Sequence, residues 1–186
     1  MTPEAMNVET RLGRITASRA GGTAGNGAKT YKISLPSAWV NDLNATDGRR
    51  MVLSYDGKSI VIQPWQEMEE YRDSRLSQGH ELISIRYYNG ETLCTRIYAD
   101  RTAKDLRAEN ETDQIVKTAF GKNELPSWAD FEAFLKERCI PQKRSGLREY
   151  LEALGLEEYD PLAVIQKTQG RMAEDHQWME VEILWR

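Results

Sequence analysis

The stretch nearest to a ligand-binding pattern is Gly22-Thr23-Ala24-Gly25-Asn26-Gly27, a G-x4-G that precedes Lys29-Thr30. Phosphate loops need such glycines so that successive backbone N–H groups can surround phosphate oxygens, with a lysine reaching the outer phosphates. Two features break the pattern here. Ala28 separates Gly27 from Lys29, and the residues that follow alternate as a strand, not as a helix whose N-terminus could hold an anion. Glu174-Asp175-His176 sets acid beside imidazole, but sequence neighbours do not converge on one point, and His80 is the other histidine. A metal centre needs three or four ligands at defined spacing, and no such set is found. Lys143-Arg144 with Arg148 makes a small basic patch whose simplest role is solvated or ion-paired. Cys94 and Cys139 lie far apart without CxxC spacing and read as reduced structural thiols, which fits a cytoplasmic protein. The expectation is a protein that is not an enzyme and uses no metal or cofactor.

The elements that would position any binding chemistry come from periodicity. Arg14-Ile15-Thr16-Ala17-Ser18-Arg19 reads as a short strand, and Tyr31, Ile33 and Leu35 alternate against Lys32 and Ser34 in a second. The glycine-rich tip joins them as a hairpin. Pro36 then stops the pairing, since it offers no N–H and its fixed φ suits a helix start. Trp39, Val40 and Leu43 give one apolar side of a mini-helix that Asn44 can close. After an Asp47-Gly48 turn, 51–55 and 59–62 read as strands joined through Asp56-Gly57, and Pro64 ends the second. Two hairpins and a mini-helix have too little apolar surface to close a core alone, so pairing with a second copy is expected.

The run from Arg14 to Pro64 resembles the swapped-hairpin DNA-binding domain of the AbrB/MazE/SpoVT group. The matching features are the strand into Leu35-Pro36, the helix 37–43, the Asp47-Gly48 turn, and the closing strand pair that ends Ile60-Val61-Ile62-Gln63-Pro64. The resemblance implies an interleaved homodimer in which two chains build one small β-barrel. It further implies that Arg14, Arg19, Lys29 and Lys32, flanked by Arg11, contact double-stranded DNA. The long glycine-rich tip departs from the tighter connection usual in that group.

Beyond Pro64 the character changes. Residues 66–79 are charged and weakly helical and read as a solvated linker. Strands over 82–88 and 92–98 flank Asn89-Gly90, with Ile83, Ile85 and Tyr87 on one face and Leu93, Thr95 and Ile97 facing them. Helices are expected near 113–120, over 128–139 behind a capping box at Ser127, over 145–154, and over 161–169 behind Asp160-Pro161. The alternating residues 178–184 can add a strand to the hairpin. The fold class is α+β: a dimeric swapped-hairpin domain at 1–65, the linker, and an acidic α+β domain at 80–186.

Net charge is −4, but residues 1–65 balance at +3 and the remainder at −7. A basic first part suits nucleic acid and an acidic second part suits a protein partner. The leading expectation is a cytoplasmic, dimeric DNA-binding transcriptional regulator, antitoxin-like, whose acidic domain binds a partner. The alternative is an inhibitor that docks its acidic half on a nucleic-acid-handling enzyme, the first domain serving only dimerisation. No apolar run is long enough for a bilayer span, and the polar residues 1–10 do not read as a signal peptide.

Overall fold

A computed structural model of the chain describes residues 9–19, 28–45 and 47–185. The G-x4-G tip and the polar segment 1–8 lie outside the described residues. The chain is mixed α and β and divides into two compact units, 1–65 and 66–186. No helix among the described residues is long and apolar enough to cross a membrane.

In the first unit, β1 (Ile15–Arg19) and β2 (Lys29–Ile33) pair antiparallel, with Ile15 opposite Ile33 and Arg19 opposite Lys29. Pro36 caps α1 (Ser37–Asp42), and Asn44 follows it at φ 48°. A second hairpin joins β3 (Met51–Tyr55) to β4 (Ile60–Pro64). Its turn is held by the Asp56 carboxylate, which accepts the Lys58 and Ser59 N–H groups at 2.8 and 2.7 Å, while Gly57 takes φ 92°. The hairpins are two separate two-stranded sheets, and among the described residues they close no barrel. None of the described residues of this unit is buried.

The second unit begins with α2 (Met68–Ser77), so the segment expected as a solvated linker is an integral helix. Met68 and Tyr71, three residues apart, share a buried side, and Tyr71 is wholly inaccessible. Dense charge masks this apolar pair in the sequence. Those charges are themselves engaged: Arg72 pairs with Glu69 and Asp73, and Arg75 with Asp105.

A four-stranded antiparallel sheet follows, in the order β7-β6-β5-β8, from β5 (Leu82–Asn89), β6 (Thr92–Asp100), β7 (Asp105–Asn110) and β8 (Gln177–Leu184). Asn89 pairs with Thr92, so the turn centres on Gly90 and Glu91, one residue later than the Asn-Gly signal suggests. A bulge beside Tyr87 puts Cys94 into the core and takes Leu93 out of the expected alternation. β7 alternates only Leu106 and Ala108 with charged residues and gives no clear strand signal. The helix expected near 113–120 is a single 3-10 turn, Ile115–Lys117.

One sheet face packs on α3 (Trp128–Glu137), α4 (Leu147–Leu154) and α5 (Pro161–Thr168). Ile83, Ile85, Tyr87 and Ile97 meet Phe131, Phe134, Leu151 and Ile165 there, and the Tyr87 and Phe134 rings contact edge-on at 5.1 Å. The capping box is formed between Ser127 and Asp130, and Asp160 accepts the Leu162 N–H at 3.1 Å. The second face carries α2.

Arg138, 7% exposed at the end of α3, ties the helical layer to β8. Its guanidinium donates to Gly170 O at 3.0 and 2.8 Å, to the Asp175 carboxylate at 2.6 and 3.1 Å, and to Gln177 O at 3.0 Å. Gly170 is required beneath it: at φ 59°, a Cβ would meet Met179 at 3.1 Å and the Arg138 Cβ at 3.3 Å. The guanidinium also holds the Asp175 carboxyl below its ordinary pKa of 3.8. Replacing Arg138 with Ala should lower the stability of this unit by about 3 kcal/mol in denaturant titrations, because Asp175 and two carbonyls lose their donor. A depressed carboxyl stabilises above its unfolded pKa, near pH 4, and that gain fades as pH falls through the folded value. The acid limb of the stability curve should therefore be shallower in Arg138→Ala than in the parent chain.

Candidate functional site

In the second unit the residues with chemical potential serve the fold. His80 Nδ1 lies 2.6 Å from the fully buried Asp100 carboxylate, which also accepts the Thr102 and Ala103 N–H groups at 2.8 and 2.9 Å. Arg75 of α2 approaches the same carboxylate at 3.5 Å. This cluster ties α2 to the β6–β7 turn. Asp175 belongs to Arg138, so the Glu174-Asp175-His176 run makes no acid–imidazole site. Arg148 of the expected basic patch pairs with Glu152 at 2.9 Å. Both cysteines are buried free thiols, and burial pushes Cys139 up to about 11. Among the described residues no cluster of His, Cys, Asp and Glu could hold a metal ion. A cleft of about 470 Å³ beside α2 is lined by Arg72, Arg86 and Arg96, but each guanidinium already meets carboxylates.

The first unit is different. From Thr10 to Asn41 the chain carries Arg11, Arg14, Arg19, Lys29 and Lys32 and no carboxylate at all. The register of β1 and β2 sorts these cations. Successive side chains point to opposite faces, so Thr16, Ser18, Thr30 and Lys32 share one face, with Arg14 and Ser34 continuing the alternation at the strand ends. Ile15, Ala17, Tyr31 and Ile33 share the other, and Arg19 and Lys29 stand at its far end. All of these residues are exposed.

The five sequence-selected cations are therefore not one cluster. Arg14 and Lys32 belong to the hydroxyl-bearing face, while Arg19 and Lys29 are directly opposite one another on the apolar face. Neither pair meets a carboxylate among the described residues. Like charges directly across a strand pair destabilise it, so this ribbon carries an electrostatic cost that no acid among the described residues offsets. Arg11 stands apart, held by Glu9 at 2.9 Å with its guanidinium 5.7 Å from the Trp39 ring centroid. Glu9 also accepts the Trp39 indole N–H.

Sequence reasoning by charge missed the hydroxyls of Thr16, Ser18 and Thr30. The signal was the same period-2 alternation that marked the strands, read on its polar phase. The strands also leave apolar residues uncovered: Ile15, Tyr31, Leu53, Tyr55 and Ile60 are each about two-thirds exposed or more. On the β3–β4 hairpin Met51, Leu53 and Tyr55 lie opposite Pro64, Ile62 and Ile60, giving one face without a charged side chain, its one polar group the Tyr55 hydroxyl. Comparison of the chain with known protein families, characterised proteins and solved structures finds no match.

Proposed function

We propose that the chain is a dimeric DNA-binding regulator whose first unit completes its core with a second copy and presents the β1–β2 ribbon to duplex DNA. The observation that carries this reading is the ribbon itself: four cations, two of them directly opposed, without a carboxylate to balance them among the described residues. A polyanion relieves that repulsion, and phosphate neutralisation with release of counterions is the main source of such affinity. A two-stranded ribbon also has the width of the major groove. The resemblance of residues 14–64 to the AbrB/MazE/SpoVT group supports the same reading, in which the two hairpins interleave with those of a second chain into a swapped-hairpin barrel. The uncovered apolar hairpin faces supply the reason to pair. Burying half of the ten large apolar side chains exposed among the unit's described residues contributes on the order of 10 kcal/mol before association costs.

On this reading the chain sediments as a dimer at micromolar concentration. Leu53→Asp with Ile60→Asp should give a monomer whose second unit stays folded by circular dichroism. A parent chain that remains monomeric would overturn the interleaved core. In mobility-shift assays duplex DNA should be retarded at low salt and released steeply as salt rises. Lys29→Ala with Lys32→Ala should weaken binding at least tenfold. Equal binding by that variant, or no binding by the parent at low salt, leaves the ribbon as the solvated face of a dimerisation module.

A further inference from the structure

The hydroxyl-bearing face of the ribbon holds two kinds of group, and they suit two different tasks. Arg14 and Lys32 are cations, fit for phosphates. Ser18 and Thr30 are uncharged, exposed, and directly opposite one another across the strand pair, two residues along from the Thr16–Lys32 pair on the same face. The Thr16 hydroxyl is occupied, donating to the Lys32 carbonyl at 3.4 Å. Those of Ser18 and Thr30 bond no other described residue, so both keep a donor and two acceptor sites for a ligand.

We propose that Ser18 and Thr30 read base sequence in duplex DNA, while Arg14 and Lys32 on the same face hold the backbone on either side. The inference rests on the DNA-binding reading above and adds which groups discriminate sequence. A cation attracts every phosphate equally and carries no sequence information, whereas hydroxyls can donate to or accept from base edges. The major groove presents a distinct donor and acceptor pattern for each base pair, and the Thr30 methyl can in addition pack on a thymine methyl. A face made only of cations and hydroxyls imposes no repulsion as it enters the groove. The opposite face, with Ile15, Tyr31 and Ile33, is the one that needs covering, so Arg19 and Lys29 are left to meet phosphates at the rim of the contact.

The test uses the full-length chain and two probes. One is a duplex enriched by the parent chain from a pool with a randomised core; the other is a shuffled duplex of the same composition. The parent should prefer the enriched duplex. Ser18→Ala with Thr30→Val should lose about tenfold or more of that preference, as expected for a lost base contact, with affinity for the shuffled duplex and its salt slope unchanged. Lys32→Ala should weaken both duplexes alike and make the salt slope shallower by about 0.9. The exchange Ser18→Thr with Thr30→Ser keeps both hydroxyls and should retain most of the preference. Unchanged preference in Ser18→Ala with Thr30→Val overturns the assignment, as does a parent chain that binds DNA without enriching any sequence. A parent chain that binds no duplex at low salt instead overturns the DNA-binding reading on which it rests.

Discussion

A strand pair has two faces, and water can satisfy only one of them when the other is apolar. The second unit resolves this constraint within its own chain. Ile83, Ile85, Tyr87 and Ile97 are sealed by α3, α4 and α5, and α2 brings Tyr71 and Met68 to the reverse side of the sheet. The first unit has two hairpins and one six-residue helix, and none of its described residues reaches burial. Its apolar strand faces are regular too, yet among the unit's own described residues no layer is set against them. The proposed dimer, and any surface it presents, depends on how that deficit is met.

The same constraint explains how the charges are used. In the second unit acids outnumber bases, yet its arginines are drawn into specific pairs, with Arg138 holding Asp175 and Arg96 reaching Glu69, Glu109 and Glu111. Such pairs fix elements relative to one another and leave little for a ligand. Between Glu9 and Asp42 the sequence holds no acid, and Arg14, Arg19, Lys29 and Lys32 meet no carboxylate among the described residues. The formal −4 of the chain therefore describes neither unit.

Much of this was legible before any coordinates, and the failures share a cause. Local signals held where a few adjacent residues decide the outcome: the Ser127–Asp130 capping box, Asp160 before Pro161, Asn44 after α1, and the strand 177–184 beside β5. They failed where a distant partner decides. Tyr71 looked solvent-facing because its neighbours are charged, but the sheet that buries it begins eleven residues later. β7 is a strand because β6 offers it a ladder, not because Asp105–Asn110 has the composition of one. The bulge at Cys94 shifts a register that perfect alternation would place differently. Counting charges grouped five residues, of which strand parity divides Arg14, Arg19, Lys29 and Lys32 between two faces while Arg11 pairs with Glu9 outside the ribbon.

That division carries the argument about specificity. Had Arg14, Arg19, Lys29 and Lys32 shared one face, the simplest ligand would have been any polyanion, held by charge alone. Parity instead places two of them beside unoccupied hydroxyls and two beside apolar side chains. A covered apolar face would set the orientation of the ribbon, because Ile15, Tyr31 and Ile33 can turn in only one direction once a second copy packs on them. The hydroxyl face must then turn outward. On the proposed reading, dimerisation and sequence reading are coupled through the two-residue repeat of the strand, which assigns each described side chain between Arg14 and Ser34 to one face or the other.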